Sequence, residues 1–205
     1  MATLEPRIYL ASRSPRRREL LHQIHVTFEV LLFRSGERTD IDVSEDPLPG
    51  EEAPDYVVRI ARTKALAAVG RIQSRRLVPH PVLAADTTID VDGEIIGKPE
   101  SPDHALQILR RLSGRRHRVL TAVALADDQR VEQALNENQV RFRDLSEDEI
   151  RRYIASGEPL DKAGAYAIQG RAAMFIEEIH GSHSGIMGLP LFETALLLRR
   201  FGYPL

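Results

Sequence analysis

The sequence predicts an α/β fold, a mixed central β-sheet flanked by helices. Three observations point there. Runs with the two-residue period of strands alternate along the chain with runs of helical period. Two hairpin signals, at Asp92-Gly93 and near Asp127-Asp128, require antiparallel pairing, so the sheet is mixed. No linker or internal repeat divides the 205 residues, which are expected to form one domain over 1–205, with room for two lobes around a cleft.

The elements follow in order. Ile8–Ala11 is a short apolar strand, and Ser14-Pro15 supplies an N-cap and first-turn proline for a helix through Leu20 and Leu21. Val26–Phe33 reads as β. Arg34–Asp55, rich in proline and acids, reads as a long surface loop, and loops of that length are commonly functional. Val57, Ile60, Ala61, Ala65 and Ala68 recur at helical spacing, with Lys64 on or beside their stripe. Val82–Ile89 is a strand, Asp92-Gly93 turns it, and Glu94–Ile96 returns antiparallel. Ser101-Pro102 opens a helix through Leu112 that Gly114 closes. Val119–Ala126 and Val131–Phe142 are two long strands. Ser146 and Glu149 form a capping box for a helix to Ile154. Met174–Ile179 is a strand and Leu191–Phe201 a final amphipathic helix. In such a sheet the ligand cleft is expected at the C-terminal ends of the strands.

Composition narrows the function. A net charge of −2 gives no excess of positive charge to draw the chain onto nucleic acid or an anionic membrane. The N-terminal segment contains no apolar run of signal-peptide or membrane-span length. With no cysteine there is no disulfide framework, thiolate metal site or cysteine nucleophile, which agrees with the cytoplasm.

Five segments could carry chemistry. Ser12-Arg13-Ser14-Pro15-Arg16-Arg17-Arg18 lies where a strand meets a helix start, where free amides and the helix dipole favour anions. It reads either as a phosphate cradle or as a capped helix with a solvated basic turn. Three arginines opposing the dipole need a reason, and the spacing is not that of a Walker A loop. Ala84-Ala85-Asp86-Thr87-Thr88 places an acid at the end of an apolar strand, where burial is costly without a partner or a metal. An ordinary strand-end turn is the alternative. Ile96-Gly97-Lys98-Pro99 fixes a lysine after the hairpin, a pattern that a surface lysine also fits. In Asp161–Gly170 glycines would let the backbone approach a flat ligand, and the Gln169 amide can donate to and accept from a base edge. Gly181–Pro190 is a glycine-rich entry to the last helix that either closes over a ligand or only turns the chain. Among the loop acids Glu45, Glu51 and Glu52, one close to Asp86 could complete a divalent-metal site.

The histidines show no HExxH spacing. His180 and His183 read as loop residues, and His22, His25, His80, His104 and His117 are scattered, so solvated or satisfied histidines are expected. No Gly-x-Ser-x-Gly elbow marks a serine hydrolase.

Taken together and in this order, ASRSPRR at 11–17, YVVRIARTKA at 56–65, AADT at 84–87, GKP at 97–99, DKAGAYAIQG at 161–170 and GLPL at 188–191 resemble the Maf family of nucleotide pyrophosphatases. The resemblance implies an α/β fold with a nucleotide-binding cleft. It also implies hydrolysis of a nucleoside triphosphate to monophosphate and pyrophosphate with a divalent cation, Mg²⁺ or Mn²⁺. Carried over by position, Ser12, Arg16, Lys64 and Lys98 are expected at the phosphates, with Arg17 assisting. Asp86 matches the acid that activates water or binds metal, Glu45 the second metal acid, and Gln169 a substrate-contacting glutamine. The catalytic set is then Asp86, Lys64 and Lys98. Around Glu45 the chain departs from the family's Asp-Glu-Thr segment, reading Ser44-Glu45-Asp46.

Three places bear on the base. The family branch resembling 7-methyl-GTP pyrophosphatases carries Ser-Pro-Trp-Arg, Ser-Asp-Gln and Ser-Glu-Gly. Here the same places hold Pro15-Arg16-Arg17, Asp86-Thr87 and Ile168-Gln169-Gly170, which resemble the dTTP/UTP branch and put Thr87 with the substrate-binding residues. The absence of tryptophan removes a platform for a methylated, cationic guanine. The alternatives are 7-methyl-GTP hydrolysis and a non-catalytic nucleotide-binding regulator of cell division. The expected partner is a pyrimidine nucleoside triphosphate rather than a nucleic acid polymer or a membrane, and a homodimer is expected.

Overall fold

In the computed structural model, which describes residues 6–31 and 44–205, the alternating periods assemble into one sheet of seven strands. They are β1 (Ile8–Leu10), β2 (Phe28–Val30), β3 (Val82–Val91), β4 (Glu94–Ile96), β5 (Arg116–Ala126), β6 (Val131–Phe142) and β7 (Ile176–His180). The order is β2-β1-β3-β5-β6-β7, with β4 also on β3. β1 is parallel to β2 and β3, and the other pairs are antiparallel. This is the mixed sheet that crossovers plus hairpins require.

Helices cover both faces. Among the described helices α2 (Ala53–Ser74) alone covers one face, where Val57, Ile60, Ala61, Ala65 and Ala68 meet Ala84, Leu120, Ala122 and Ala124. Small residues on both sides let helix and sheet approach closely. Complete burial of Val57 and Ile60 contributes about 1.5–3 kcal/mol each. On the opposite face the core divides in two. α1 (Pro15–Gln23) and α6 (Leu191–Arg200) pack over Ile8, Leu10, Leu83, Val123 and Leu125. α3 (Pro102–Leu112) and α4 (Glu147–Ala155) pack over Ile89, Val119, Val140 and Phe142. Among the described residues no helix is long and apolar enough to cross a membrane.

The local signals act as chemistry requires at two helix starts. Ser101 accepts from the His104 N–H, and Ser146 and Glu149 close a reciprocal capping box. Elsewhere the structure corrects the sequence reading. Ser14 stands at the N-cap of α1 but makes no side-chain cap. α2 begins at Ala53, inside the segment read as loop, because Pro54 suits a first turn. β2 is shorter than read, and Leu32, Phe33 and loop residues 34–43 lie outside the described residues. β5 starts at Arg116, before the apolar run, because Arg116 and Arg118 pair with Glu178 and Asp90. Met174 belongs to a 3₁₀ turn, Arg171–Phe175, that precedes β7. His180 ends β7, and His183 opens a short helix, α5 (His183–Met187), within the glycine-rich entry.

The pairing of β3 positions the site. β5 pairs one edge of β3 from Val82 to Asp90. On the other edge β1 reaches only Val82 and Leu83, and β4 only Ile89 to Val91. Residues 84–88 therefore face a gap between two strands. Ala84–Thr88, expected at the end of a strand, lies in its middle, since β3 continues to Val91.

Candidate active site

Side chains alternate across a strand. Asp86 thus points to the α2 face, where Lys64 meets it, and Thr87 points to the α1 face, where Arg17 and Thr121 meet it. The gap in the edge joins the two faces into a cleft of about 780 Å³. Ser12, Arg16, Arg17, Glu45, Lys64, Asp86, Thr87, Lys98 and Gln169 all line it, so the structure brings together every site residue proposed from the sequence.

On the α2 side, Lys64 Nζ lies 2.8 Å from Asp86 Oδ1 and 2.7 Å from Glu45 Oε1. Asp86 is 8% exposed, and burial pushes its carboxyl up against the opposing pull of Lys64 and Arg17. Glu45 is carried by the strand-to-helix loop, whose backbone is tied to α2. Tyr56 Oη donates to the Glu45 carbonyl at 2.9 Å, and Arg59 Nη2 to the Asp46 carbonyl at 3.0 Å. Arg59 is itself held by Glu51 at 2.5 Å, so Glu51 serves the loop rather than a metal. The Tyr56 hydroxyl is pushed up to about 12, first by burial and then by the charges of Asp86 and Glu45, so it remains a donor at neutral pH.

On the α1 side, Ser12 follows β1 and accepts from the Ser14 N–H at 3.2 Å. Arg17 lies beneath the cleft. Its Nε donates to the Gly188 carbonyl at 2.8 Å, Nη1 to Ser12 Oγ and Nη2 to Thr87 Oγ1, both at 3.4 Å. Burial pulls this guanidinium down and Asp86 opposes that pull. A hydroxyl has one hydrogen. Thr121 donates its own to the Gly185 carbonyl at 2.8 Å, so across the 3.0 Å Thr87–Thr121 contact Thr87 is the donor. Toward the cleft Thr87 can therefore only accept.

The far wall is the segment from Asp161 to Gln169, beyond the hairpin that carries Lys98. Gly164 donates its N–H to the Gly97 carbonyl at 2.9 Å, coupling this wall to the turn before Lys98. Gly164 has φ +68°, and a Cβ there would lie 2.0 Å from Ile89 Cδ1, so both conformation and space require glycine. Arg13, Tyr56, Asp161 and Lys162 also line the cleft; they lie within the segments singled out above but are not among the site residues expected individually. The charged pair Asp161-Lys162 that opens the Gln169 segment is the available signal for two of them. The lining thus carries six cationic side chains, Arg13, Arg16, Arg17, Lys64, Lys98 and Lys162, against three carboxylates, Glu45, Asp86 and Asp161. A chain of net charge −2 has concentrated positive charge where a polyanion would sit.

Comparisons with known proteins bear on the family and the fold. The family model described as Maf-like protein matches residues 7–201. A protein of Aromatoleum aromaticum named dTTP/UTP pyrophosphatase is 63% identical over 206 residues, covering 100% of both chains. Proteins of the same name from Burkholderia lata and Dechloromonas aromatica are 58% and 53% identical, each covering 96% of this chain and 93% and 98% of their own. In fold, the chain is similar to the Staphylococcus aureus Ham1 protein, with a TM-score of 0.53 at 17% identity over 95% of this chain and 99% of the other.

Proposed function

The chain belongs to the Maf family, and from that premise we propose that it is a nucleoside triphosphate pyrophosphatase that hydrolyses dTTP and UTP to the monophosphate and pyrophosphate. The observation that carries the reading is the convergence of all nine motif residues on one cationic cleft. The relatives' shared name supports the choice of base.

Glu45 and Asp86 fit a divalent cation. Their carboxylates converge on a single point, marked by Lys64 Nζ. Among the described residues no group of three or more His, Cys, Asp or Glu side chains could hold a metal ion. Two hard oxygens, with the remainder supplied by phosphate and water, is the pattern of Mg²⁺, and Mn²⁺ accepts the same donors. Such a cation would neutralise charge on the phosphate oxygens during transfer. Arg16, Lys64 and Lys98 bind the polyphosphate, and Ser12 adds a neutral donor. Asp86, buried and carried on a rigid strand, orients the attacking water and accepts its proton. Gln169 reads the imide edge of the pyrimidine. Thr87, able only to accept, suits a base that presents an N–H.

The proposal takes residues 1–205 as one domain with two lobes about the cleft, working as a cytoplasmic homodimer without nucleic acid polymer or membrane as partner. Specificity constants for UTP, dTTP, CTP and 7-methyl-GTP with Mg²⁺ and Mn²⁺, with products separated by chromatography, test the reaction. UTP and dTTP should lead. CTP is the sharp control, because it exchanges a donor for an acceptor at constant ring size and strands polar groups of the site. A preference for 7-methyl-GTP would overturn the base assignment, and release of orthophosphate would overturn the reaction.

A further inference from the structure

We propose that Glu158 is the positioning residue that sets the nucleotide-facing wall from Asp161 to Gln169. The inference rests on the reading above, in which this wall meets the pyrimidine.

Glu158 opens a 3₁₀ turn, Glu158–Asp161, after α4. It holds the wall at both ends. At the near end Lys162 Nζ donates to the Glu158 carbonyl at 2.6 Å and also pairs with Asp161. At the far end the Arg171 N–H donates to Glu158 Oε2 at 3.1 Å. The other carboxylate oxygen accepts from Tyr153 Oη at 2.9 Å. Tyr153, 2% exposed, packs edge-on against Phe175, so the acid is anchored in the core.

A second observation concerns the same carboxylate. A Cβ added to Gly170, the residue after Gln169, would lie 2.2 Å from Glu158 Oε1 and 2.5 Å from its carboxyl carbon. Gly170 has φ −103°, a value any residue adopts, so what a side chain there would meet is the Glu158 carboxylate, which would have to move. The glycine admits the carboxylate against the backbone, and the carboxylate fixes where that backbone lies. Gln169 inherits its position from this contact.

Placement of a recognition group by a neighbouring acid has a particular kinetic form. Substrate binding suffers first, because misplaced contacts lower affinity and selectivity while the phosphate-side groups stay in place. Loss of folded protein would lower the apparent kcat and leave KM unchanged. Glutamine at 158 can accept from the Arg171 N–H through its oxygen and donate to Tyr153 through its amide, so the conservative variant should rescue.

The experiment measures kcat and KM for UTP and CTP in wild type, E158Q, E158A, G170A and the E158A/G170A double variant. E158A should raise KM for UTP about tenfold and narrow the UTP-over-CTP preference, with kcat changed by less than about threefold. E158Q should stay closer to wild type than E158A, because the Arg171 N–H keeps its acceptor while the Tyr153 contact reverses direction. G170A should reproduce the KM defect, and in the double variant it should add nothing to E158A, because the space is already vacated. If E158A does not fold, G170A and Tyr153→Phe carry the same KM test. An unchanged KM and an unchanged UTP-to-CTP ratio in the folded variants overturn the inference. If wild type itself releases no pyrophosphate from UTP, it is the functional reading that falls.

Discussion

Lys64 Nζ lies 2.8 Å from Asp86 Oδ1, so a single ammonium on α2 neutralises the acid in the open stretch of β3, and the same ammonium lies 2.7 Å from Glu45. One positive charge therefore holds together the two carboxylates proposed above as the cation's ligands. Lys64→Met should bind Mn²⁺ in the absence of nucleotide about tenfold or more tightly than wild type, since it removes a like charge at close range. Electron paramagnetic resonance of free Mn²⁺ measures this directly. Equal affinities would show that lysine and metal do not compete for the pair.

Asp86→Asn keeps the side-chain volume and loses the charge. Turnover should fall by about 10²–10⁴-fold, the usual consequence of removing a base or a metal-binding acid. UTP binding should persist, because the phosphate-side cations remain. Stopped turnover with measurable UTP affinity by calorimetry is the expected pair of results, and a folded variant with near-normal turnover would remove Asp86 from the mechanism.

Much of this architecture is legible in the sequence because its signals are local. The Ser146–Glu149 capping box and the Asp92-Gly93 turn between β3 and β4 act over a few residues, so pattern suffices to find them. The gap beside Asp86 is different, because it arises from how far β1 and β4 extend along β3, and register between distant strands leaves no local trace. Tyr56 and Lys162 lie in quoted motifs without being named as site residues, for a related reason. The contact of Tyr56 with the Glu45 carbonyl depends on the path of the preceding loop. α5 escaped because serine and glycine are weak helix formers, and its five residues are too few for a period to appear.

Arg17 was expected at the phosphates, and its bonds to Gly188, Ser12 and Thr87 make it a brace between three walls of the cleft. Lysine cannot reproduce a planar fork that reaches three acceptors. Arg17→Lys should lose one or two charge-assisted bonds and lower kcat/KM for UTP by about 10–100-fold. Its thermal midpoint should fall as well. Steady-state kinetics with a melting curve checks both, and full activity would mean that the brace is dispensable.

His117 links stability to pH at a distance from the reacting atoms. It is 3% exposed, its Nε2 lies 2.8 Å from Tyr166 Oη, and its ring meets Phe142 and Tyr166 edge-on. Nδ1 has no partner. Burial lowers this histidine from 6.5 to about 4. Between those values the unfolded chain binds a proton that the folded chain refuses, so stability is fully present above pH 6.5 and is lost as pH falls toward 4. From pH 7.5 to 5 the loss should be about 2 kcal/mol. Carboxylates paired with arginine, such as Glu149, lowered to about 2 by Arg143 and Ser146, lose their contribution mainly below their unfolded value, outside most of this window. Urea unfolding at pH 7.5 and 5 should show the drop in wild type and a much smaller one in His117→Gln, whose side chain does not titrate. The same slope in both proteins would assign the acid sensitivity to other groups.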